Sequence, residues 1–420
     1  MTGTVENIGV PTVAPEGTPV TGAVVAAARR AALPAYVYDL GHLDRHLAAI
    51  KTAFGAASIG TPVELLYAVK ANPDSGMLAT IAGHVHGLEV ASGGELAHVR
   101  AQLPGVPVAF GGPAKSDAEL CAALSAGVER YHVESLHELR RLDALARRAG
   151  RVAEVLLRVN IPAAVPGDAA LTMGGLPSPF GMDPAEAEAA ARELDHLTGV
   201  RVLGVHAHLA SGLDATAAAV VAETVLAWAA GFARRHGLRL REVNVGGGMG
   251  VDYRRPGPLF DWPAYARRLA RAATGLPCRV RIEPGRSLTA YSGWYATRVL
   301  ELKLSHGARF AICDGGTHHL RTPAAKGHDQ PLAALPGPEW TTGPAEPGPR
   351  QDAPDEPITF VGRLCTPKDV LARDVRLPRL AAGDLVLFAM AGAYAYNISH
   401  HDFLMHPEPA VVHVTGRESP

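Results

Sequence analysis

Two side chains with reactive groups stand at the ends of short apolar runs. Lys70 follows the run ELLYAV at 64–69, and Glu283 ends the run CRVRIE at 278–283. An amine that closes an apolar strand is expected to be partly desolvated, which favours its neutral, nucleophilic form. A carboxylate buried at such a place needs a cationic partner, for which Arg286 or a protonated heterocycle is suitable. Taken singly, Lys70 is also compatible with a surface lysine that merely ends a strand.

Two more groups stand at the ends of other apolar runs. His208 and Ser211 lie in HAHLASG at 206–212. Three consecutive glycines follow a further run: Gly246, Gly247 and Gly248. Bare glycines let backbone N–H groups approach an anion closely. The segment is not the dinucleotide-binding motif G-x-G-x-x-G, because Val251 stands at the position of its third glycine. A core histidine and an ordinary turn are the alternatives for these two groups.

The four features together match one cofactor. Pyridoxal 5'-phosphate condenses through its aldehyde with a lysine, stacks its ring on an aromatic side chain and places its phosphate among backbone donors. Its ring nitrogen needs a carboxylate to stay protonated, and the protonated ring accepts the electron pair left at the Cα of an amino acid. We therefore expect pyridoxal 5'-phosphate as the cofactor.

The elements that must position these groups alternate in type. The apolar runs that predict strands are 64–69, 87–91, 107–110, 130–133, 153–159, 202–208, 241–245 and 278–283. Helical patterns lie between them, and Ser116 with Glu119 and Ser135 with Glu138 are capping boxes at two helix starts. A helix after each strand but the last implies parallel pairing and predicts an α/β fold, a (β/α)8 TIM barrel with its reactive groups at the carboxyl ends of the strands. An open α/β sheet is the alternative.

The chain outside the predicted barrel has a different pattern of apolar residues. Strand-like runs without long helices occur at 293–303, 308–314, 358–361 and 384–389. They predict a C-terminal β-rich domain. The predicted division is an N-terminal arm at 1–34, the barrel at 41–285, and a β-domain made of 35–40 with 286–420, within which the Pro- and Gly-rich stretch 322–356 is a flexible loop. The run 36–40 is expected to pair with the C-terminal strands.

Composition excludes several classes of protein. The chain has 420 residues, of which 47% are apolar, and this excludes global disorder. Its formal charge of −1 argues against nucleic acid as a main partner. Four widely spaced cysteines exclude a disulfide scaffold, and the histidines lack metal-ligand spacing, so no metal site is expected. The apolar stretch 214–232 contains Asp214 and Glu223, and it predicts a buried helix and no membrane association. Without a signal-peptide pattern at the start of the chain, a cytoplasmic enzyme is expected.

The chain resembles the fold-type III pyridoxal-phosphate decarboxylases, which include the diaminopimelate and ornithine decarboxylases and share a barrel plus β-domain architecture with alanine racemases. The resemblance runs from about Tyr36 to Pro409. The motifs that carry it are YAVKAN (67–72), EVASGGEL (89–96), HLASG (208–212), VGGGMG (245–250), EPGR (283–286), LCTPKD (364–369) and GAY (392–394).

The resemblance implies roles residue by residue. Lys70 would carry the cofactor, His208 would stack on its ring, and Glu283 would pair with the ring nitrogen. Other cofactor-binding positions would be Glu89, Ser211, Gly246, Gly247, Gly248, Gly285, Arg286 and Tyr394. Cys365 would donate the proton to Cα after carbon dioxide leaves, in the site of a neighbouring subunit, which implies a homodimer with shared active sites. The substrate-binding positions would be Arg158, Arg286, His318, His319, Arg321 and Thr366.

Departures from the family pattern concern the substrate. The family's enzymes for basic amino acids place Asp or Glu directly after the cysteine, where this chain has Thr366. A hydroxyl cannot neutralise a distal ammonium, and burying that charge unpaired costs several kcal/mol. The spellings DGGTHH at 314–319 and LCTPKD resemble decarboxylases of specialised metabolism that act on a conjugated amino acid, such as a citryl-diamino acid in siderophore assembly or an aminoacyl group on a carrier protein. His318 and His319 would then bind a carboxylate or amide at the far end of the substrate. The alternative is that they are ordinary loop histidines.

Three alternatives remain at this point. A diaminopimelate decarboxylase of lysine biosynthesis has the same cofactor and fold. An amino acid racemase also shares both, but it needs a second proton-transfer group and usually places an arginine opposite the ring nitrogen, where this chain has Glu283. A regulatory pseudo-enzyme that binds partners through a dimer surface has no need for both Lys70 and Cys365.

Overall fold

The computed structural model describes residues 20–57, 62–163, 171–257, 259–321, 327–337, 352–353 and 356–415. The chain divides into two compact units, which we call the barrel unit and the β unit. The barrel unit comprises Asp44–Gly250 and Phe260–Leu288. The β unit comprises Met1–Leu43, Val251–Leu259 and Thr289–Pro420.

Helices and strands alternate through the first two thirds of the chain, and strands dominate the last third. The helices are α1 (Gly22–Arg30), α2 (Leu40–Ala57), α3 (Ser75–Ala82), α4 (Gly93–Gln102), α5 (Asp117–Ser125), α6 (Leu136–Arg148), α7 (Pro184–Glu193), α8 (Ala215–Arg235), α9 (Trp262–Ala273) and α10 (Arg286–Thr289). The strands are β1 (Ala35–Asp39), β2 (Val63–Ala68), β3 (Gly87–Val90), β4 (Val108–Phe110), β5 (Arg130–Val133), β6 (Ala153–Arg158), β7 (Leu171–Thr172), β8 (Val200–His206), β9 (Ala210–Ser211), β10 (Glu242–Asn244), β11 (Arg279–Ile282), β12 (Gly293–Ser305), β13 (Ala308–Cys313), β14 (Leu332–Leu335), β15 (Asp352–Ala353), β16 (Ile358–Val361), β17 (Val370–Val375), β18 (Leu380–Ala381), β19 (Leu385–Phe388) and β20 (Ala410–Val414).

The barrel unit contains the predicted (β/α)8 barrel. Its strands close in the order β10-β11-β2-β3-β4-β5-β6-β8, and every neighbouring pair is parallel. All eight predicted strands are present with small shifts at their ends. Strands of three to seven residues with nearly continuous burial are what a sheet covered on both faces requires. The open-sheet alternative is therefore wrong.

Capping side chains define the starts of two barrel helices, α5 and α6. At the start of α5, Ser116 and Glu119 form the predicted capping box. At the start of α6, the side chain of Ser135 accepts from the N–H of Glu138, but the Glu138 carboxylate does not accept from the N–H of Ser135. It pairs instead with the buried amine of Lys115 at 2.6 Å. The second box is thus only half formed, because one oxygen of Glu138 neutralises a buried lysine and the other accepts from the N–H of Glu134 at 3.3 Å.

Helix α8 confirms the prediction of a buried helix at 214–232. By length and composition alone it is long and apolar enough to cross a membrane. It lies between β8 and β10 of the barrel, and nine of its side chains are buried. A core helix of a barrel has these properties as well.

A buried ionic network occupies the barrel interior toward the amino ends of the strands. Glu242 is 1% exposed and accepts two bonds of 3.1 Å from Nε of Arg130. Arg281 lies 3.2 Å from the same carboxylate and also pairs with Glu64 and Glu129. Burial raises the pKa of Glu242, and the two arginines oppose that effect. Because this network fills the amino-terminal side of the barrel interior, we expect the active site at the carboxyl ends of the strands.

The β unit is built on one large sheet. Its strands run in the order β14-β19-β12-β13-β16-β17, and β1 pairs antiparallel with β12 and parallel with β20. The expected pairing of 36–40 with C-terminal strands is confirmed, because β1 is buried at every position and needs partners on both edges.

Two stretches of the β unit differ from the sequence predictions. Residues 22–30, assigned without secondary structure to the N-terminal arm at 1–34, form α1, which buries Val24, Val25, Ala27 and Ala28. Within the predicted flexible loop 322–356, residues 332–335 form the buried strand β14 against β19, so that assignment is wrong there. The apolar sequence LAAL explains this strand, because its side chains suit a buried position in a sheet. The surrounding Pro and Gly residues indicated a loop instead. Residues 322–326, 338–351 and 354–355 of that loop, and residues 1–19 of the arm, lie outside the described residues.

Candidate active site

Lys70 lies just beyond the carboxyl end of β2, in the short 3-10 turn Val69–Ala71. Its Nζ donates to Oε2 of Glu89 at 2.6 Å. The register pairs Ala68 with Glu89, which brings the acid of β3 to the level of the lysine. The Lys70 side chain is 46% exposed and that of Glu89 only 6%. The amine is therefore less desolvated than the sequence suggested, and a carboxylate holds it at the barrel mouth.

Glu283 lies directly after β11 and is almost buried. Its Oε1 accepts from Nδ2 of Asn244 at 2.7 Å. His132 and His206 lie against it, with Nε2 3.6 Å from Oε1 and 3.3 Å from Oε2, respectively. A carboxylate with one amide donor and two imidazoles beside it retains most of its charge for a cationic partner.

The three glycines form a tight turn between β10 and the loops that follow β8 and β11. Gly246 and Gly248 have φ of +73° and +93°, a backbone region that side chains rarely adopt. A Cβ on Gly247 would lie 2.2 Å from the carbonyl oxygen of Glu283, and one on Gly248 2.1 Å from that of Ala210. No other residue type fits these positions, so the turn keeps its bare backbone as an anion cradle requires.

His208 faces this turn. Its Nδ1 accepts from the N–H of Gly247 at 3.1 Å. Burial, together with the positive charges of Arg158 and Lys70, lowers the pKa of His208 well below its usual range. A neutral ring in this position offers a flat apolar face, as stacking on a heterocycle needs. Ser211 ends β9, which pairs with β7 beside it.

The EPGR segment brings two more predicted residues to the same mouth. A Cβ on Gly285 would lie 2.9 Å from Cβ of Ala71, the neighbour of Lys70, so a side chain there would push against the lysine turn. Arg286 follows as the first residue of α10.

Arg158, the last residue of β6, has a partner already. Its Nη1 donates to Oε1 of Glu134 at 2.5 Å, and its guanidinium lies 5.1 Å from the ring centroid of Phe180. The other oxygen of Glu134 accepts from the N–H of Gly181. A substrate carboxylate at Arg158 would have to share it with Glu134, and the assignment of Arg158 to the substrate stays a prediction.

The remaining predicted residues belong to the β unit, so the barrel unit alone does not hold the complete predicted set. Asp369 organises them, since it accepts from Thr317 through both N–H and Oγ1 and from the N–H of Leu364. It thereby ties the DGGTHH segment to LCTPKD. Cys365 is exposed and Thr366 half-buried on the LCTPKD segment. Tyr394 adopts φ of +50°.

The two adjacent histidines of the β unit have different surroundings. Nδ1 of His319 lies 2.9 Å from Oη of Tyr295, and its Nε2 lies 3.0 Å from the carbonyl oxygen of Pro407. Both nitrogens are engaged, and burial lowers its pKa to about 3, which favours a structural role. His318 is fully buried and its ring nitrogens have no hydrogen-bond partner among the described residues. Burial lowers its pKa to about 4.

Charged and titratable groups of both kinds act on His318, since Asp369 favours its charged form and His406, His400 and Arg363 oppose it. Arg363 lies 3.1 Å from Nδ1 of His406 and 2.8 Å from Asp314. The His406 ring centroid is 5.1 Å from that of His318. Arg321 is exposed.

Sequence reasoning missed His132, His206 and Asn244. All three lie in barrel strands, at or next to their carboxyl ends. A histidine inside a strand is usually a core residue, and the signal that distinguishes these two is only their position at the end of a barrel strand.

The residues at the barrel mouth fit pyridoxal phosphate. The aldehyde is matched by a partly exposed amine, and the ring nitrogen by a nearly buried carboxylate that pairs with no lysine or arginine in the described part of the chain. The phosphate is matched by glycines whose Cβ positions are filled by neighbouring backbone.

Comparisons with known proteins agree with this fit. Residues 40–290 match the family described as "Pyridoxal-dependent decarboxylase, pyridoxal binding domain". The chain is 36% identical over 384 residues, 90% of its length and 94% of the relative's, to a 2-[(L-alanin-3-ylcarbamoyl)methyl]-2-hydroxybutanedioate decarboxylase of Staphylococcus aureus. It is 30% identical over 398 residues, 92% of this chain and 90% of the relative, to a Niallia circulans decarboxylase named for an L-glutamyl group on the BtrI acyl-carrier protein.

A solved structure matches over a similar length. The crystal structure of a single-residue mutant of diaminopimelate decarboxylase from Helicobacter pylori, complexed with L-lysine, superimposes with a TM-score of 0.80 at 26% identity, and the match covers 92% of this chain and 93% of that one. The regulatory pseudo-enzyme alternative has no counterpart in these similarities. The chain is a decarboxylase that uses pyridoxal phosphate, and it belongs to the family of pyridoxal-dependent decarboxylases.

Proposed function

We propose that this enzyme removes the α-carboxylate of an L-amino acid whose far end is already conjugated and carries carboxylates, of the citryl-diamino acid type. The observation that carries the proposal is the charge of the segment 363–369. Within this fully described segment, the one acid, Asp369, is 2% exposed and occupied by Thr317 and Leu364. The two cations of the segment, Arg363 and Lys368, are exposed, and Thr366 is half-buried. Arg363 pairs with Asp314 at 2.8 Å.

This surface suits an anionic far end better than an ammonium. A distal ammonium buried opposite Thr366 would lack a counter-ion, at a cost of several kcal/mol. Arg363 and His406 provide donors for a carboxylate, and Arg321 is exposed in the same unit. The Staphylococcus aureus relative, whose printed name describes a substrate of this kind, supports the same choice. A carrier-linked aminoacyl group is the second candidate, supported by the Niallia circulans relative.

The roles of the barrel residues follow from their contacts. Pyridoxal phosphate, when bound, supplies the electron sink for the pair left at Cα when carbon dioxide departs. Lys70 holds the cofactor through Nζ, and Glu89 keeps that nitrogen at the mouth. Glu283 keeps the ring nitrogen protonated. The glycine turn with Ser211 and Arg286 binds the phosphate, and His208 supports the ring face. Tyr394 adds a donor to the phosphate.

Cys365 is proposed to protonate Cα from a neighbouring subunit, in a homodimer with shared active sites. Its exposure in the single chain supports a thiol that works on another chain. All four cysteines are free, which suits the reducing cytoplasm in which we propose that the enzyme works.

A substrate panel tests the proposal. Purified enzyme is offered citryl-diamino acid, carrier-linked glutamate, free diaminopimelate, lysine and ornithine, with the Lys70→Ala variant as control. We expect the citryl conjugate to lose the mass of one carbon dioxide, with a kcat/KM at least ~100-fold above that of diaminopimelate, the factor for a difference of about 2.7 kcal/mol. Faster turnover of diaminopimelate would establish that alternative instead. Inversion at Cα without loss of mass would establish the racemase alternative.

A further inference from the structure

Two buried histidines that the proposed mechanism does not use lie behind Glu283. The rings of His132 and His206 stack with centroids 4.2 Å apart and planes 13° apart. They come from β5 and β8, which are separated in the barrel by β6, so the rings meet in the interior. Both residues are at most 3% exposed.

None of the four ring nitrogens has a hydrogen-bond partner among the described residues. Buried polar atoms are nearly always paired, and an unpaired one costs about 1–3 kcal/mol, so such a pair calls for a functional explanation. The two Nε2 atoms lie beside the two oxygens of Glu283, at 3.6 and 3.3 Å, without aligned hydrogen bonds. The third neighbour of the carboxylate, Asn244, is also neutral.

A metal ion does not explain this cluster, although its three residues offer ligand atoms within 4.8 Å of one another. Rings stacked face to face present their nitrogens side by side, whereas metal ligands converge from separate directions. The charged groups that act on the pair are Lys70 just beyond β2, Lys115 beyond β4, Arg158 from β6 and Glu283 directly after β11. The three cations pair with Glu89, Glu138 and Glu134, respectively.

We propose that His132 and His206 are positioning residues, whose stacked, uncharged rings set the orientation of Glu283 and leave its negative charge for the ring nitrogen of the cofactor. Two parallel imidazoles cannot both be positively charged imidazolium rings at this distance without strong repulsion. Burial and the surrounding cations lower the pKa of both histidines well below the usual range, in agreement with neutral rings. A protonated imidazole here would neutralise Glu283 and weaken its hold on the cofactor.

The inference rests on the proposed pairing of Glu283 with the ring nitrogen, and the test separates the two. Holoenzyme is prepared with cofactor carrying nitrogen-15 in the ring, and the ring-nitrogen chemical shift is followed by NMR without substrate. The variant His132→Ala removes one ring of the stack, so Glu283 loses a packing surface. We expect the ring nitrogen of the cofactor to hold its proton about tenfold less strongly in this variant, which equals one pKa unit or about 1.4 kcal/mol. His132→Phe, which restores a flat, uncharged ring, should recover most of that loss.

The matched control is His137→Ala, at an exposed position on α6 of the same unit, which should leave the signal at its wild-type value. A wild-type ring-nitrogen signal in folded, cofactor-loaded His132→Ala, or a loss in His132→Phe as large as in His132→Ala, would overturn the inference. If Glu283→Gln also left the signal unchanged, the pairing itself would be wrong.

A second measurement follows the protonation of the two histidines directly. In wild-type holoenzyme with nitrogen-15 histidine, two imidazoles, assigned with the His132→Gln and His206→Gln proteins, should stay neutral throughout the pH range in which the enzyme is folded. Protonation of either ring near pH 6–7, the range of an unperturbed histidine, would contradict the proposal.

Discussion

The substitution Glu283→Gln is the sharpest perturbation of the barrel site, because it changes charge and almost nothing else. The carboxylate is 8% exposed and accepts from Asn244 at 2.7 Å. Its other neighbours are the imidazoles of His132 and His206. Glutamine has the same shape, and its amide oxygen can still accept from Asn244. The expected effect is therefore electrostatic, with the fold retained.

The magnitude follows from the loss of one nearly buried charge. An opposite charge within about 4–6 Å shifts a pKa by about 1–3 units, each worth about 1.36 kcal/mol or a factor of ten. Without Glu283 the ring nitrogen of the cofactor should lose its proton about 10- to 1000-fold more readily. Because the neutral ring is a weaker electron sink, kcat should fall by a similar factor, about 100-fold at the centre of that range.

The assay measures carbon dioxide release from the preferred substrate at saturation, together with the visible absorbance of the lysine-bound cofactor. Glu223→Gln is the matched control, because Glu223 pairs with Arg268 away from the mouth, on α8. We expect the control to keep wild-type kcat. A decrease of less than about threefold in Glu283→Gln, with the cofactor fully bound, would refute the assignment of Glu283 to the ring nitrogen.

The remaining predictions concern the β unit and the barrel interior. Cys365→Ala should lower kcat by about 100-fold, in the range of a lost general acid, while cofactor affinity measured by absorbance titration stays within about twofold; an unchanged kcat would contradict the proton-donor role. Thr366→Asp should raise kcat/KM for free diaminopimelate relative to the conjugated substrate by at least about tenfold, whereas the neutral Thr366→Asn should not; equal effects of the two would refute the charge argument. Glu242→Ala leaves Arg130 and Arg281 with a reduced counter-charge and should lower the free energy of unfolding by about 3–5 kcal/mol in chemical denaturation, while a loss below about 1 kcal/mol would show that the network relaxes.

The placement of the main chemical groups was predictable because barrel geometry determines it. Parallel strands that alternate with helices bring their carboxyl ends to one mouth, so Lys70 and Glu283 could be assigned to one site from their positions after apolar runs. The glycine turn was predictable for a similar reason. The steric contacts of Gly247 and Gly248 now show why glycine is required there.

Contacts that depend on barrel closure were not predictable. The pairing of Lys70 with Glu89 and the stacking of His132 on His206 depend on distances across the closed barrel that spacing along the chain does not encode. Strand β14 was missed for another reason, since its four apolar residues stand among prolines and glycines and become a strand only by pairing with β19.

The most direct test of the account is to find where the cofactor is attached. Borohydride reduction of the holoenzyme fixes the Schiff base link as a stable amine, and peptide mass spectrometry then locates the added pyridoxyl phosphate. The account predicts the label on the peptide that contains Lys70, and no label at this position in Lys70→Ala. A label on another lysine, or none in an enzyme that still releases carbon dioxide, would contradict it.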